Sequence, residues 1–371
     1  MTRALLVAAL AATVALLPAP APGCGLVSPA GGSTVAVGEV AVVIWDDAAG
    51  VEHFTRSALF RGTTAGFGFL VPTPGQPTLA DAPGPISDRL EALTGPRVEA
   101  RKRLAEFGCG APRSTFATVG AAMPAAPAVQ VVERRRVGDF DAAVLKANDP
   151  AALGNWLGAN GFASRPAVTA WLGGYTADGW HLTAFKLANN PAAAVSGHLK
   201  AVRMSFPTER PYYPYDEPAA APGPRPPGLR GFKLFVLAPA RMVALSGPAR
   251  GAFAVPELQA AWAGPVDGPV VEATAVACGL TAADAAKLAG RAWTLTEFED
   301  PYGRRTPTDV YFRPSPDPSP VERPPIVIYE DLYWPYYAMA GGFVVGGPMV
   351  FWVLWRTIRR AIRHLPAAPL D

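Results

Sequence analysis

The sequence predicts an α+β fold, mainly antiparallel sheet with flanking helices, joined to one C-terminal transmembrane helix. Three observations predict it. Short β-branched or alternating runs follow one another across tight turns, the habit of antiparallel strands. Capped helical stretches are interspersed without a regular strand–helix alternation. The twenty residues Tyr336–Trp355 carry no charge. With 371 residues the chain can build one large core. Its 41 Pro and 37 Gly lack any collagen period.

The first elements are strands. Glu39–Trp45 is β-branched, Asp46–Gly50 turns the chain, and Val51–Phe60 returns as a hairpin partner. Ala65–Val71 predicts a third strand, stopped by Pro72 and Pro74. Ile86–Phe107, rich in Arg, Glu, Leu and Ala, predicts a helix broken around Gly95-Pro96. Val129–Val137 and Phe140–Leu145 predict a second hairpin around Val-Gly-Asp.

A helical section follows. Asp149-Pro150 is an N-cap with Pro in the first turn, and Asn160-Gly161 closes that helix. Pro166 starts a second helix through AVTAWLGGY. Trp180–Leu187, His198–Phe206, Gly231–Leu237 and Met242–Leu245 read as strands, and Thr281–Leu288 as a short helix. Pro218–Pro227 reads as an exposed Pro-rich loop, and there is no internal repeat.

Both ends carry addresses. Arg3, the thirteen-residue run Leu5–Leu17 and a small-residue exit describe a secretory signal over 1–23, leaving Cys24 first in the mature chain. Tyr336–Trp355 is long enough to span a bilayer. Tyr333, Trp334, Tyr336 and Tyr337 flank one edge, Trp352 and Trp355 the other. Arg356, Arg359, Arg360 and Arg363 follow at once, so the C-terminus is expected in the cytoplasm and the rest outside. The expected division is 1–23 signal, 24–313 extracytoplasmic α+β domain, 314–335 Pro-rich stalk, 336–355 span and 356–371 basic tail. The alternation of Pro in Pro314–Pro325 favours an extended, stiff spacer.

Between Cys24 and Pro335 there are 28 basic and 29 acidic residues, without the basic surplus of a nucleic-acid-binding domain. Cys24, Cys109 and Cys278 are too widely spaced for a zinc motif. Outside the cytoplasm Cys24 and Cys109 are the expected disulfide. Cys109 with Cys278 would replace it if Cys24 is acylated. Otherwise Cys278 reads as a buried free thiol.

The signals for chemistry are sparse. His53, His181 and His198 sit in strand-like runs, with no G-x-S-x-G elbow and no H-E-x-x-H. His181 alternates with Leu182 and is expected to face solvent. Asp46-Asp47, Asp139, Asp141 and Asp216-Glu217 are the carboxylates available for a glycosidase-like pair. Asp in turns is more simply explained by local hydrogen bonding. Trp171, Tyr175, Trp180, Tyr212, Tyr213 and Tyr215 form the aromatic group singled out for binding a glycan, a peptide or another envelope protein, with core packing as the plainer alternative. Gly342-x-x-x-Gly346 matches a helix-dimer motif. No cofactor or metal is expected.

The succession VVIWDDAAGVEHFTRSALFRG, NDPAALGNWLGANGF, GYTADGWHLTAFKLA and AVRMSFPTERPYYPY, behind a signal ending in Cys-Gly, resembles the bacterial family of unknown function called DUF2330. It covers roughly Cys24–Leu245. The resemblance implies a secreted or envelope-tethered domain and brings no catalytic residues. The function expected is a non-enzymatic binding or assembly module of the envelope. The alternative is an envelope hydrolase acting on wall or surface polymers.

Overall fold

The computed structural model describes residues 26–27, 35–62, 68–104, 129–162, 165–188, 195–218, 231–247, 252–300, 308–332 and 348–360. They fall into two units, Met1–Gly95 with Thr115–Arg323, and Pro96–Ser114 with Pro324–Asp371.

In chain order the strands begin with β1 (Leu26–Val27), the hairpin β2 (Val35–Asp46) and β3 (Val51–Gly62), β4 (Gly68–Thr73) and β5 (Thr78–Asp81). Helix α1 (Asp88–Thr94) and β6 (Val98–Leu104) precede the hairpin β7 (Gln130–Val137) and β8 (Phe140–Lys146). Next come α2 (Pro150–Ala159), α3 (Pro166–Ala177), β9 (His181–Leu187), β10 (Val195–His198), β11 (Val202–Pro207) and β12 (Tyr212–Tyr213). The remainder is β13 (Gly231–Ala238), β14 (Met242–Ser246), β15 (Ala260–Val266), α4 (Gly268–Ala277), α5 (Ala282–Ala289), β16 (Trp293–Asp300), β17 (Val310–Pro314) and β18 (Ile326–Leu332).

The larger unit is a four-layer sandwich. One sheet runs β15-β16-β13-β2-β3-β11-β5, with β10 also on β3; a second runs β1-β4-β9-β8-β7; a small third runs β12-β17-β14. Strand alternation explains the layers, because successive side chains point to opposite faces. Ala41, Val43 and Trp45 of β2 meet Phe69 and Val71 of β4, Val144 of β8 and Phe185 of β9 in the core between the sheets. Val42 and Ile44 point the other way, onto Leu90 of α1, Val271 and Ala275 of α4, and Ala285 and Leu288 of α5. On the far side Leu70, Leu145 and Leu182 meet Leu153, Trp156 and Leu157 of α2 and Val168 and Leu172 of α3. Each fully buried Leu or Ile here contributes roughly 1.5–3 kcal/mol.

Local signals hold at the helix starts. The Asp149 carboxylate accepts from the amides of Ala151 (3.0 Å) and Ala152 (2.9 Å), and Thr281 Oγ1 accepts from the Asp284 amide (3.1 Å). Each such cap is worth about 1 kcal/mol. Gly279, between α4 and α5, has φ +83°, and a Cβ there would fall 2.0 Å from the Asp81 carbonyl oxygen. Only glycine fits.

Several expectations are corrected. The helix expected over Ile86–Phe107 is helical only over Asp88–Thr94; beyond Pro96 the chain is strand β6, because Val98–Leu104 finds a partner far away in the sequence, parallel β18. The run His198–Phe206 is split between β10 and β11, with Lys200 held at the break as its amide donates to Asp139 Oδ2 (2.8 Å). Pro72 lies inside β4, opposite Leu182, and does not end the strand. Among the described residues the sheets are mostly antiparallel as expected, with two parallel pairings, β13 on β2 and β18 on β6.

The Pro-rich run is tied to the larger unit as far as Arg323. Arg241 Nη1 donates to the carbonyls of Asp317 (3.3 Å) and Ser319 (2.9 Å), and Val321 exchanges two backbone bonds with Ala263 (2.8 and 2.9 Å). Among the described residues no helix is long and apolar enough to cross a membrane. Residues 336–347 of the expected span lie outside the described residues, and 348–360 are helical. The expected signal, Cys24, Cys109 and the Pro-rich loop from 219 onward also lie outside them.

Candidate functional site

The sandwich core holds charge where apolar contacts dominate. Glu39 and Arg56 share the inward face of the β2–β3 hairpin and pair at 2.7 Å from Oε1 to Nε, with both side chains almost wholly buried. The Arg56 guanidinium lies 4.6 Å from the Phe69 ring centre, which suits a planar cation. Tyr213 donates its hydroxyl to Glu39 Oε1 and packs on Phe54 (5.7 Å between centres) and Phe232 (5.0 Å).

A second network adjoins it. Tyr175 OH donates to Asp309 Oδ2 (2.8 Å), and the Asp216 amide donates to Asp309 Oδ1 (3.1 Å). Burial pushes Asp309 up to about 6, against these two donors, and raises Asp216 as well. The Tyr212 amide donates to Glu52 Oε2 (2.7 Å), while complete burial holds the Glu52 carboxyl well above its ordinary range. Tyr215 OH donates to Asp300 Oδ2 (3.2 Å).

These contacts gather all six aromatics singled out in the sequence. Trp171, Tyr175, Trp180 and Tyr212 follow ring to ring at 5.1, 5.4 and 5.0 Å, and Tyr213 meets Tyr215 at 6.2 Å. They do not form an exposed patch. Tyr212, Tyr213 and Tyr215 are all 0% exposed, because β12 and the residues after it cross over the end of the inter-sheet core. Tyr175 and Trp180 are half-buried at its margin.

Four of the six carboxylates considered for catalysis have structural partners outside the Asp309 network, beside which Asp216 and Glu217 are set. Asp46 and Asp47 both bind Arg291; Asp139 accepts from the Lys200 amide; Asp141 faces Arg136 at 3.8 Å. His181, expected toward solvent, is buried: Leu182 turns to α2 and α3, so His181 shares with Phe185 the face toward the larger sheet, and neither face is wet. Burial, then Lys146, lowers its pKa.

One contact was missed in the sequence. His53 Nδ1 lies 2.9 Å from Ser205 Oγ, as direct partners on β3 and β11. Burial and then Arg203 lower the His53 pKa to about 4, which keeps the ring neutral at pH 7. No local motif signals a pair made by strand register. Cys278 is a buried free thiol, pushed up to about 12 by burial.

At one end of the larger sheet, a cleft of about 310 Å³ is lined by Gly38, Val40, Leu59, Phe232, Lys233 and Glu299 among others. Lys233 Nζ sits 3.6–3.9 Å from Glu91, Glu297 and Glu299. Arg323 Nη2 reaches Glu297 and Glu299, both at 2.8 Å. Burial raises Glu297, with Arg323 pulling it back. Among the described residues no group of His, Cys, Asp or Glu is placed to hold a metal ion.

Fold and site together define a four-layer α+β domain with a buried Glu39–Arg56 pair and a tyrosine–carboxylate network inside it. The chain belongs to a bacterial family described as "Uncharacterized protein conserved in bacteria (DUF2330)", whose model matches residues 18–313. No curated protein and no solved structure is significantly similar to it.

Proposed function

We infer that the chain is a single-pass protein of the bacterial cell envelope, with its α+β domain outside the membrane, working by binding or assembly. The anchoring half rests on the N-terminal signal pattern, the uncharged run Tyr336–Trp355 and the arginines after it. The non-catalytic half is carried by the engagement of Asp46, Asp47, Asp139 and Asp141 with Arg291, Lys200 and Arg136. A general acid or base must be free to exchange its proton with substrate.

The His53–Ser205 contact favours the rival reading, an envelope hydrolase. Against it, a base lowered to about 4 is poorly matched to neutral pH. The test is crosslinking and co-purification of the full-length protein from native membranes, beside turnover assays on wall polymers. A partner recovered in near-equal amount supports assembly. Turnover that Ser205→Ala abolishes would replace binding with hydrolysis.

A further inference from the structure

In the smaller unit β6 and β18 form a two-stranded parallel ribbon, with Val98 opposite Ile326 and Ala100 opposite Ile328. By alternation these four share one face with the register positions Lys102, Leu104, Glu330 and Leu332, while Glu99, Arg101, Arg103, Val327, Tyr329 and Asp331 fall on the other. The first face is the more apolar, with one opposed Lys–Glu position, and the second the more charged. Val98, Ile326 and Ile328 are 63%, 51% and 51% exposed, and Arg101 pairs with Glu99 at 2.8 Å on the opposite side. A two-stranded ribbon is marginal in water by itself, so an exposed, mainly apolar face calls for a cover.

Chain continuity says what covers it. β18 ends at Leu332, and the uncharged run begins at Tyr336, four residues on. Four residues reach at most about 14 Å. The intervening Tyr333 and Trp334 are of the type that sits at the headgroup level. Area argues against a second copy as the cover. Seven paired residues make a ribbon about 23 Å long and about 10 Å wide, so two such faces would hide about 500 Å². A stable interface needs about 1,000 Å² or more. A tethered apolar face meeting lipid needs no such minimum, because its local concentration is fixed by the tether.

The geometry points to the β6–β18 ribbon lying on the phospholipid surface, with Val98, Ala100, Ile326 and Ile328 against the headgroup–acyl boundary. This rests on the reading of Tyr336–Trp355 as a span. The ribbon is then a second membrane contact beside the span.

The experiment uses the full chain in phospholipid vesicles, with a polarity-sensitive fluorophore on Val98→Cys, Ile328→Cys, Arg101→Cys or Val350→Cys. The unsubstituted protein gives the background from native cysteines, and brominated lipids are the quencher. Blue-shifted emission at 98 and 328, lost in brominated vesicles, with 101 unaffected, is the expected result. If 350 is quenched while 98 and 328 are not, the inference falls and the span stands. If 350 is also unquenched, the anchoring reading fails and takes the inference with it. Blue-shifted but unquenched probes at 98 and 328 that crosslink between copies would replace lipid with a second chain.

Discussion

Glu39 and Arg56 pair at 2.7 Å inside the apolar space between the two sheets, where neither side chain reaches water. Arg56→Met would leave the Glu39 carboxylate buried without its cation, at a cost of about 3–5 kcal/mol. Glu39→Leu combined with Arg56→Met should recover much of that loss, because no uncompensated charge remains. Denaturant unfolding of both variants checks this. Arg56→Met within 1 kcal/mol of the parent would mean that water or another group reaches Glu39.

Two buried groups bend the pH dependence of stability in opposite directions. Asp309 has its folded pKa raised to about 6, so the folded state holds a proton that the unfolded chain has released. Stability therefore falls as pH rises from about 4 to about 6, at up to about 1.4 kcal/mol per unit. Asp309→Asn should flatten that slope. His53, lowered to about 4, acts the other way. The unfolded chain takes up its proton first, so stability is lost as pH falls from about 6.5 toward 4. His53→Gln should protect at the acid end. Melting temperatures from pH 4 to 7.5 separate the two; unchanged curves in both variants would remove these residues as the cause.

What the sequence made legible was mainly local. Asp149-Pro150 and Thr281 mark helix starts because a cap needs only residues two or three positions away. The hairpin β2–β3 was readable from its β-branched run and its Asp-rich turn. Non-local pairing was not. The parallel β13–β2 contact and the β6–β18 ribbon depend on partners far along the chain. The burial of Tyr212, Tyr213 and Tyr215 depends on the two sheets stacking, which no single window encodes. His53 and Ser205 meet only through the β3–β11 register.

Cys278 lies in the helix-side core with Val42, Ile44 and Phe235, and burial pushes its thiol up to about 12. The thiolate is the reactive form, so the native thiol should be inert to alkylation at pH 8. Mass-spectrometric mapping of the peptide carrying Cys278 should show labelling only after denaturant is added. Labelling at the rate of a free cysteine would mean that α4 and α5 open readily from the sheet.

Arg323 joins the end of the Pro-rich run to β16 through Glu297 and Glu299, both at 2.8 Å. Glu297 is fully buried, and its other cation, Lys233, stands 3.9 Å away, a longer and weaker contact. Arg323→Met should cost about 2 kcal/mol, less than a wholly buried pair because Arg323 is partly exposed and Lys233 remains. Arg323→Lys should recover only part, since an ammonium has no second nitrogen to replace Nη1, which donates to Glu299 Oε2 at 3.0 Å. The tether gives a second readout. Glu322 is exposed, and a Glu-specific protease should cut after it faster in Arg323→Met, as the backbone leaves Ala263. Equal cutting rates in parent and variant would assign the hold on this segment to Arg241 and the Ala263–Val321 bonds alone.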